Sequence, residues 1–152
     1  MAESIEFFSA VLIVSKDPAR LAAFYRDTLG VPLKEEKHGD TAPHYGCELG
    51  DLHFAIHPRE NFEDAGEPSG GAVRLAFTVF DIESIATSLR EKGVALLYPP
   101  RDVGFCKMTA LRDPDGNTVE LTELGNGWFN HLEDRRRRGL DVLARHREQH
   151  PR

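Results

Sequence analysis

The chain has 152 residues, enough for one domain or two small similar halves sharing a core. Apolar residues make up 40% and charged ones 29%, which excludes wholesale disorder. A formal charge of −6 argues against a nucleic-acid binder, because phosphate neutralisation needs a positive surface.

No run approaches the roughly 18 apolar residues of a membrane span. The first ten residues carry two glutamates and no basic start, unlike a secretory signal. Cys47 and Cys106 make no disulfide framework, so a soluble protein of the reducing cytoplasm is expected.

Phe7 to Ser15 is a short apolar, β-branched run that predicts a buried strand. Asp17-Pro18 then supplies an N-cap with proline at the first helical position. Leu21, Ala22, Phe24, Tyr25 and Leu29 follow at helical spacing, and Gly30 ends the helix before Pro32. Three shorter strands are predicted at Leu33 to His38, Tyr45 to Leu49 and Leu52 to His57, with turns at Gly39-Asp40 and Gly50-Asp51. Pro58 to Gly71, rich in glycine, proline and acids, reads as a connector.

The pattern then repeats. Val73 to Phe80 predicts a strand, Asp81 caps a helix carrying Ile82, Ile85, Ala86 and Leu89, and Gly93 ends it. Strands are predicted at Ala95 to Tyr98, Cys106 to Arg112 and Thr118 to Glu123, the last two joined by a turn at Asp113-Pro114-Asp115-Gly116-Asn117. An offset of 64 residues pairs Leu21 with Ile85, Ala22 with Ala86, Tyr25 with Leu89 and Arg26 with Arg90. The expected architecture is α+β: two tandem βαβββ modules, residues 6–58 and 72–124, around a linker at 59–71. Residues 125–152 read as a C-terminal helix and tail. From Trp128 onward the net charge is +3, against −9 for the rest, so the tail could lie against the body or a second copy.

The segments Asp17 to Gly30 (DPARLAAFYRDTLG) and Arg112 to Leu121 (RDPDGNTVEL), together with the doubled βαβββ layout, resemble the vicinal oxygen chelate superfamily. That superfamily includes glyoxalase, bleomycin-resistance and extradiol-dioxygenase relatives. The resemblance covers roughly residues 6–124 and implies a cupped mixed sheet around one small-molecule cavity, often in a homodimer. It does not choose among lyase, isomerase, dioxygenase and drug-sequestering functions.

Metal-dependent relatives place one ligand on each of four pseudo-symmetric strand positions. Carried over, these are Ala10 (Ser9 if the register slips), Ala55, Arg74 and Glu120. Alanine offers no ligand atom, and arginine stays protonated and donates only. The resemblance therefore implies that the usual metal centre is lost, so no cofactor is expected. An Arg74–Glu120 ion pair is expected in its place.

His53 and His57 share a strand face with Ala55 and could bring imidazoles to the cavity, or could flank a solvated edge. Arg101, in the loop Pro99 to Phe105, is a candidate anion contact at the rim. Tyr98, Phe105, Met108 and Trp128 are candidate apolar lining, though each also suits an ordinary core. Cys106 reads as buried and inert, and His44 as loop polarity.

Two main functional readings follow. One is a metal-independent binder of a small organic ligand, which either sequesters it or does acid–base chemistry with Glu120 as base and Arg74 steadying an oxyanion. The alternative is a divalent-metal-dependent lyase, isomerase or dioxygenase that combines Glu120 with displaced histidines. An interaction protein with a self-filled cup and a basic tail is a third. No nucleic-acid or membrane partner is expected.

Overall fold

The computed structural model describes residues 9–50, 52–62, 73–104, 106–137 and 148. The opening apolar run forms β1 (Ala10–Ser15). Asp17 then caps α1 (Pro18–Ala23), its carboxylate accepting the Arg20 N–H at 3.1 Å. The helix continues as one π-helical turn, Phe24–Thr28, and Gly30, at φ +76°, allows the left-handed exit. Strands β2 (Lys34–Glu36), β3 (His44–Leu49) and β4 (Leu52–Pro58) complete the first module.

The second module repeats the order: β5 (Arg74–Thr78), α2 (Ile82–Glu91), β6 (Leu96–Asp102), β7 (Cys106–Arg112) and β8 (Thr118–Leu124). A last helix, α3, spans Asn126–Arg137. Strand β6 runs further than the sequence suggested. Pro99, Pro100, Arg101 and Asp102 belong to it and not to a loop. Prolines cannot donate to a ladder, and β6 accommodates them as an edge strand with two register shifts against β7. Of the expected connector, Arg59–Asn61 form a short 3-10 turn and residues 63–71 lie outside the described residues, as does most of the tail.

The strands make two four-stranded sheets, in the orders β1-β4-β3-β2 and β5-β8-β7-β6. In each, the first strand runs parallel to the last and the other pairings are antiparallel. The repeat is visible in the register: Leu12 lies opposite Ala55, as Ala76 lies opposite Glu120.

Strand alternation divides each sheet into an inner and an outer face. Val11, Ile13, Phe54 and Ile56 turn inward with α1, and Leu75, Phe77, Val119 and Leu121 turn inward with α2, into one shared core. Phe54 and Phe77 meet edge to face with centroids 6.0 Å apart, and Tyr25 packs against both.

A buried polar link joins the modules. The Tyr25 hydroxyl donates to Asp113 Oδ2 at 2.7 Å, and Ser15 Oγ donates to Asp115 Oδ2 at 2.6 Å. Burial and the Asp113 carboxylate push the Tyr25 phenol well above its ordinary range, so it stays protonated and donates. Asp113 also accepts the Asp115 and Asn117 backbone N–H groups and the Asn117 side-chain amide, which builds the turn between β7 and β8. The two sequence segments that carry the family resemblance thus bond to each other.

Candidate functional site

The outer faces carry the ionisable groups that the sequence singled out. On the second sheet, Arg74 Nε and Nη2 both donate to Glu120 Oε1, at 3.0 and 2.5 Å. This ion pair is the one that the sequence led us to expect. It is less enclosed than that argument required: 58% of the Arg74 side chain is exposed in the single chain. Met108, paired with Thr122, lies on the same face, one step along the ladder from Ala110 opposite Glu120. Tyr98 pairs with Ala110, and Arg101 with Met108, so both belong to this face as well. The Arg101 guanidinium stacks on the Tyr98 ring, 4.1 Å from its centroid.

Trp128 sits on α3, half-exposed, with its ring 5.3 Å from that of His131. Phe105 lies outside the described residues. Cys106 is buried, and burial first, then Asp102 and Glu120, pushes its thiol up, as suits an unreactive thiol.

The outer face of the first sheet carries imidazoles. His53 and His57 lie on either side of Ala55 on β4. His53 Nδ1 is 2.6 Å from Glu48 Oε1, and His57 Nδ1 is 3.3 Å from Asn61 Nδ2. Burial, then the neighbouring His44 and His53, pulls the His57 pKa down to about 4, so the ring is neutral at neutral pH.

Three residues that the sequence did not single out join them. His44 opens β3, buried, and stacks flat on His57 with centroids 4.1 Å apart. Glu36 is its cross-strand partner on β2, and His38 follows two residues on. Glu36 Oε2 lies 3.4 Å from His44 Nε2 and 3.6 Å from His38 Nε2. A usable signal was the Glu-x-His run ahead of a Gly-Asp turn, with His44 a short hairpin away. His38 and His44 thus gather around Glu36, on the opposite sheet from Glu120.

Two cavities lie away from these polar groups. One, of about 750 Å³, is bounded by Ser15, Pro18, Pro43, Arg59 and Phe62. The other, of about 170 Å³, lies between the modules against Val31, Leu49, Phe77 and Leu121. Neither is lined by Glu120.

A family profile described as Glyoxalase/Bleomycin resistance protein/Dioxygenase superfamily matches residues 2–121. The chain belongs to this superfamily. A sequence search of curated proteins returns no match. Among solved structures, a virulence protein from Salmonella typhimurium aligns with 20% identity and a TM-score of 0.66, over 81% of this chain and 100% of that one. An antibiotic-binding protein from a Streptomyces species aligns with 20% identity and a TM-score of 0.64, over 82% and 100%. A lactoylglutathione lyase from Agrobacterium tumefaciens gives 18% and 0.58, over 80% and 96%. At these identities the likeness establishes the fold.

The superfamily often holds a divalent metal, and the residues at its four strand positions can be tested for fit. Ala10 and Ala55 present methyl groups, Arg74 presents a guanidinium without a lone pair, and Glu120 is already bonded to that guanidinium. These residues do not fit a metal. No helix among the described residues is long and apolar enough to cross a membrane.

Proposed function

We propose that this superfamily member binds a small organic molecule on the face carrying Arg74 and Glu120, with no metal at the superfamily's usual position. The observation that supports this is the Arg74–Glu120 pair, standing where relatives place metal ligands. Both Arg74 bonds fall on Oε1. Oε2 remains an acceptor for a ligand N–H or O–H, while the stacked Tyr98 and Arg101 offer a flat, cationic wall. The same pair would serve acid–base chemistry if Oε2 took a proton and Arg74 met the oxyanion.

We infer that two copies complete the site. Strands β1 and β5 are both sheet edges, and Leu12, at the centre of the β1 outer face, is 45% exposed. A second chain laid along these edges would bring the first module's outer face against the second module's.

The test titrates chelator-treated protein with bleomycin and a panel of aromatic antibiotics by calorimetry. Binding of at least one compound is expected without added metal, and at least tenfold weaker in both Glu120→Gln and Arg74→Ala. Binding that needs added metal, or that ignores both substitutions, overturns the reading. Light scattering is expected to give twice the 17.0 kDa chain mass. A monomer that binds the ligand overturns the two-copy site.

A further inference from the structure

We infer that Glu36, His38 and His44 form a divalent transition-metal site on the first module, at the β2–β3 end and away from the superfamily's metal position. One ligand atom from each of the three lies within 4.8 Å of those of the other two. Bonds of about 2.0–2.1 Å put tetrahedral N and O ligands about 3.3–3.4 Å apart. The Glu36–His44 and Glu36–His38 separations, 3.4 and 3.6 Å, are already close to that spacing. The His38–His44 edge lies within 4.8 Å, and His38, at 73% exposed and beyond the end of β2, has room to adjust it.

Two further features shape this site. His44 is nine-tenths buried and more, and the nitrogen it turns toward Glu36 is Nε2, while Nδ1 has no hydrogen-bond partner among the described residues, so burial holds the ligating nitrogen beside the carboxylate. The second is Gly46, two residues along the same face of β3. A Cβ there would stand 3.0 Å from Glu36 Oε2 and 3.2 Å from His53 Cε1. Glycine is what lets Glu36 lie across the sheet toward His44.

The donor set selects the ion. Two imidazoles and one carboxylate suit zinc, cobalt, nickel or ferrous iron, whereas calcium and magnesium want more oxygens. The Glu36 carboxylate disfavours an anion. Three protein ligands leave at least one position for water or a small molecule.

His57 supports the site without being a ligand. Asn61 is fixed by two bonds to the Ala42 backbone, its Oδ1 accepting at 2.9 Å and its Nδ2 donating at 3.0 Å. The amide therefore presents Nδ2–H to His57 Nδ1, which leaves the proton of a neutral ring on Nε2. Such a ring has no free lone pair for a metal, but its flat stack holds the His44 plane.

The experiment strips the full chain with a chelator and titrates it with Co²⁺, following visible absorption, then displaces the cobalt with Zn²⁺ in a calorimeter. One equivalent per chain with a tetrahedral or five-coordinate spectrum is expected. Affinity should fall at least tenfold in His38→Ala and in Glu36→Gln, and stay unchanged in Glu120→Gln. His38 is exposed, so its replacement leaves the fold intact, and circular dichroism checks this. No binding, or binding that survives both His38→Ala and Glu36→Gln, overturns the site. Loss in Glu120→Gln alone would instead place the ion at the superfamily position and overturn the metal-free proposal as well. Antibiotic binding that persists while cobalt binding fails leaves that proposal standing and removes this one.

Discussion

On β5 and β8 the outward residues include Arg74, Ala76, Glu120 and Thr122, and on the matching strands β1 and β4 they include Ala10, Leu12, His53, Ala55 and His57. The backbone register is the same in both modules, yet one face has an ion pair at its centre and the other has alanine there. In the first module the carboxylate–imidazole cluster lies further toward the β2 edge, with His44 one strand from β4 and Glu36 two. A shared fold therefore supplies equivalent positions without requiring equivalent chemistry at them. The inner faces differ from both, since there the modules share one core and one buried hydrogen-bonded link.

The largest expected effect comes from breaking that link. Asp113→Ala removes the acceptor of the buried Tyr25 hydroxyl and of three donors in the β7–β8 turn. Hydrogen bonds to a charged group contribute about 1.5–3 kcal/mol each, so a loss of about 3 kcal/mol or more is expected in urea unfolding. Tyr25→Phe leaves Asp113 with its turn donors and should cost about 1.5–3 kcal/mol. A loss below about 0.5 kcal/mol for Asp113→Ala would mean that the inner faces hold together by apolar contact alone.

The next effect would make the outer faces alike in function. In the double variant Ala10→His and Arg74→His, Glu120 is released and two imidazoles arrive at the superfamily's positions. A second equivalent of Co²⁺ is expected, one that Glu36→Gln does not remove. Unchanged stoichiometry would show that the position is closed by more than these two side chains.

The smallest effect concerns the ion pair itself. With Arg74 more than half exposed, Arg74→Ala should change stability by less than about 1 kcal/mol. A much larger loss would assign the pair to folding and not to ligand binding.

Much of this was legible in the residue order. The spacing of Leu21, Ala22 and Tyr25, the caps at Asp17 and Asp81 and the Asp-Pro-Asp-Gly-Asn turn all act within a few residues, and all appear where expected. Arg74 and Glu120 were legible as partners because the family resemblance put both at ligand positions, and the structure sets them on adjacent strands. His44 was not. Its apolar neighbours give no period, and it read as loop polarity because its partner Glu36 is reached only when β2 and β3 pair in one register.

Local spacing and capping thus determine the elements, their order and their duplication, because these depend on interactions a few residues long. The tertiary structure alone decides that Tyr25 finds Asp113 across 88 residues, that His38 and His44 collect on Glu36 and not on Glu120, and that glycine at 46 leaves room for the Glu36 carboxylate. Those outcomes depend on sheet register and on which faces the core claims, and both are set by burying the apolar sides of two modules at once.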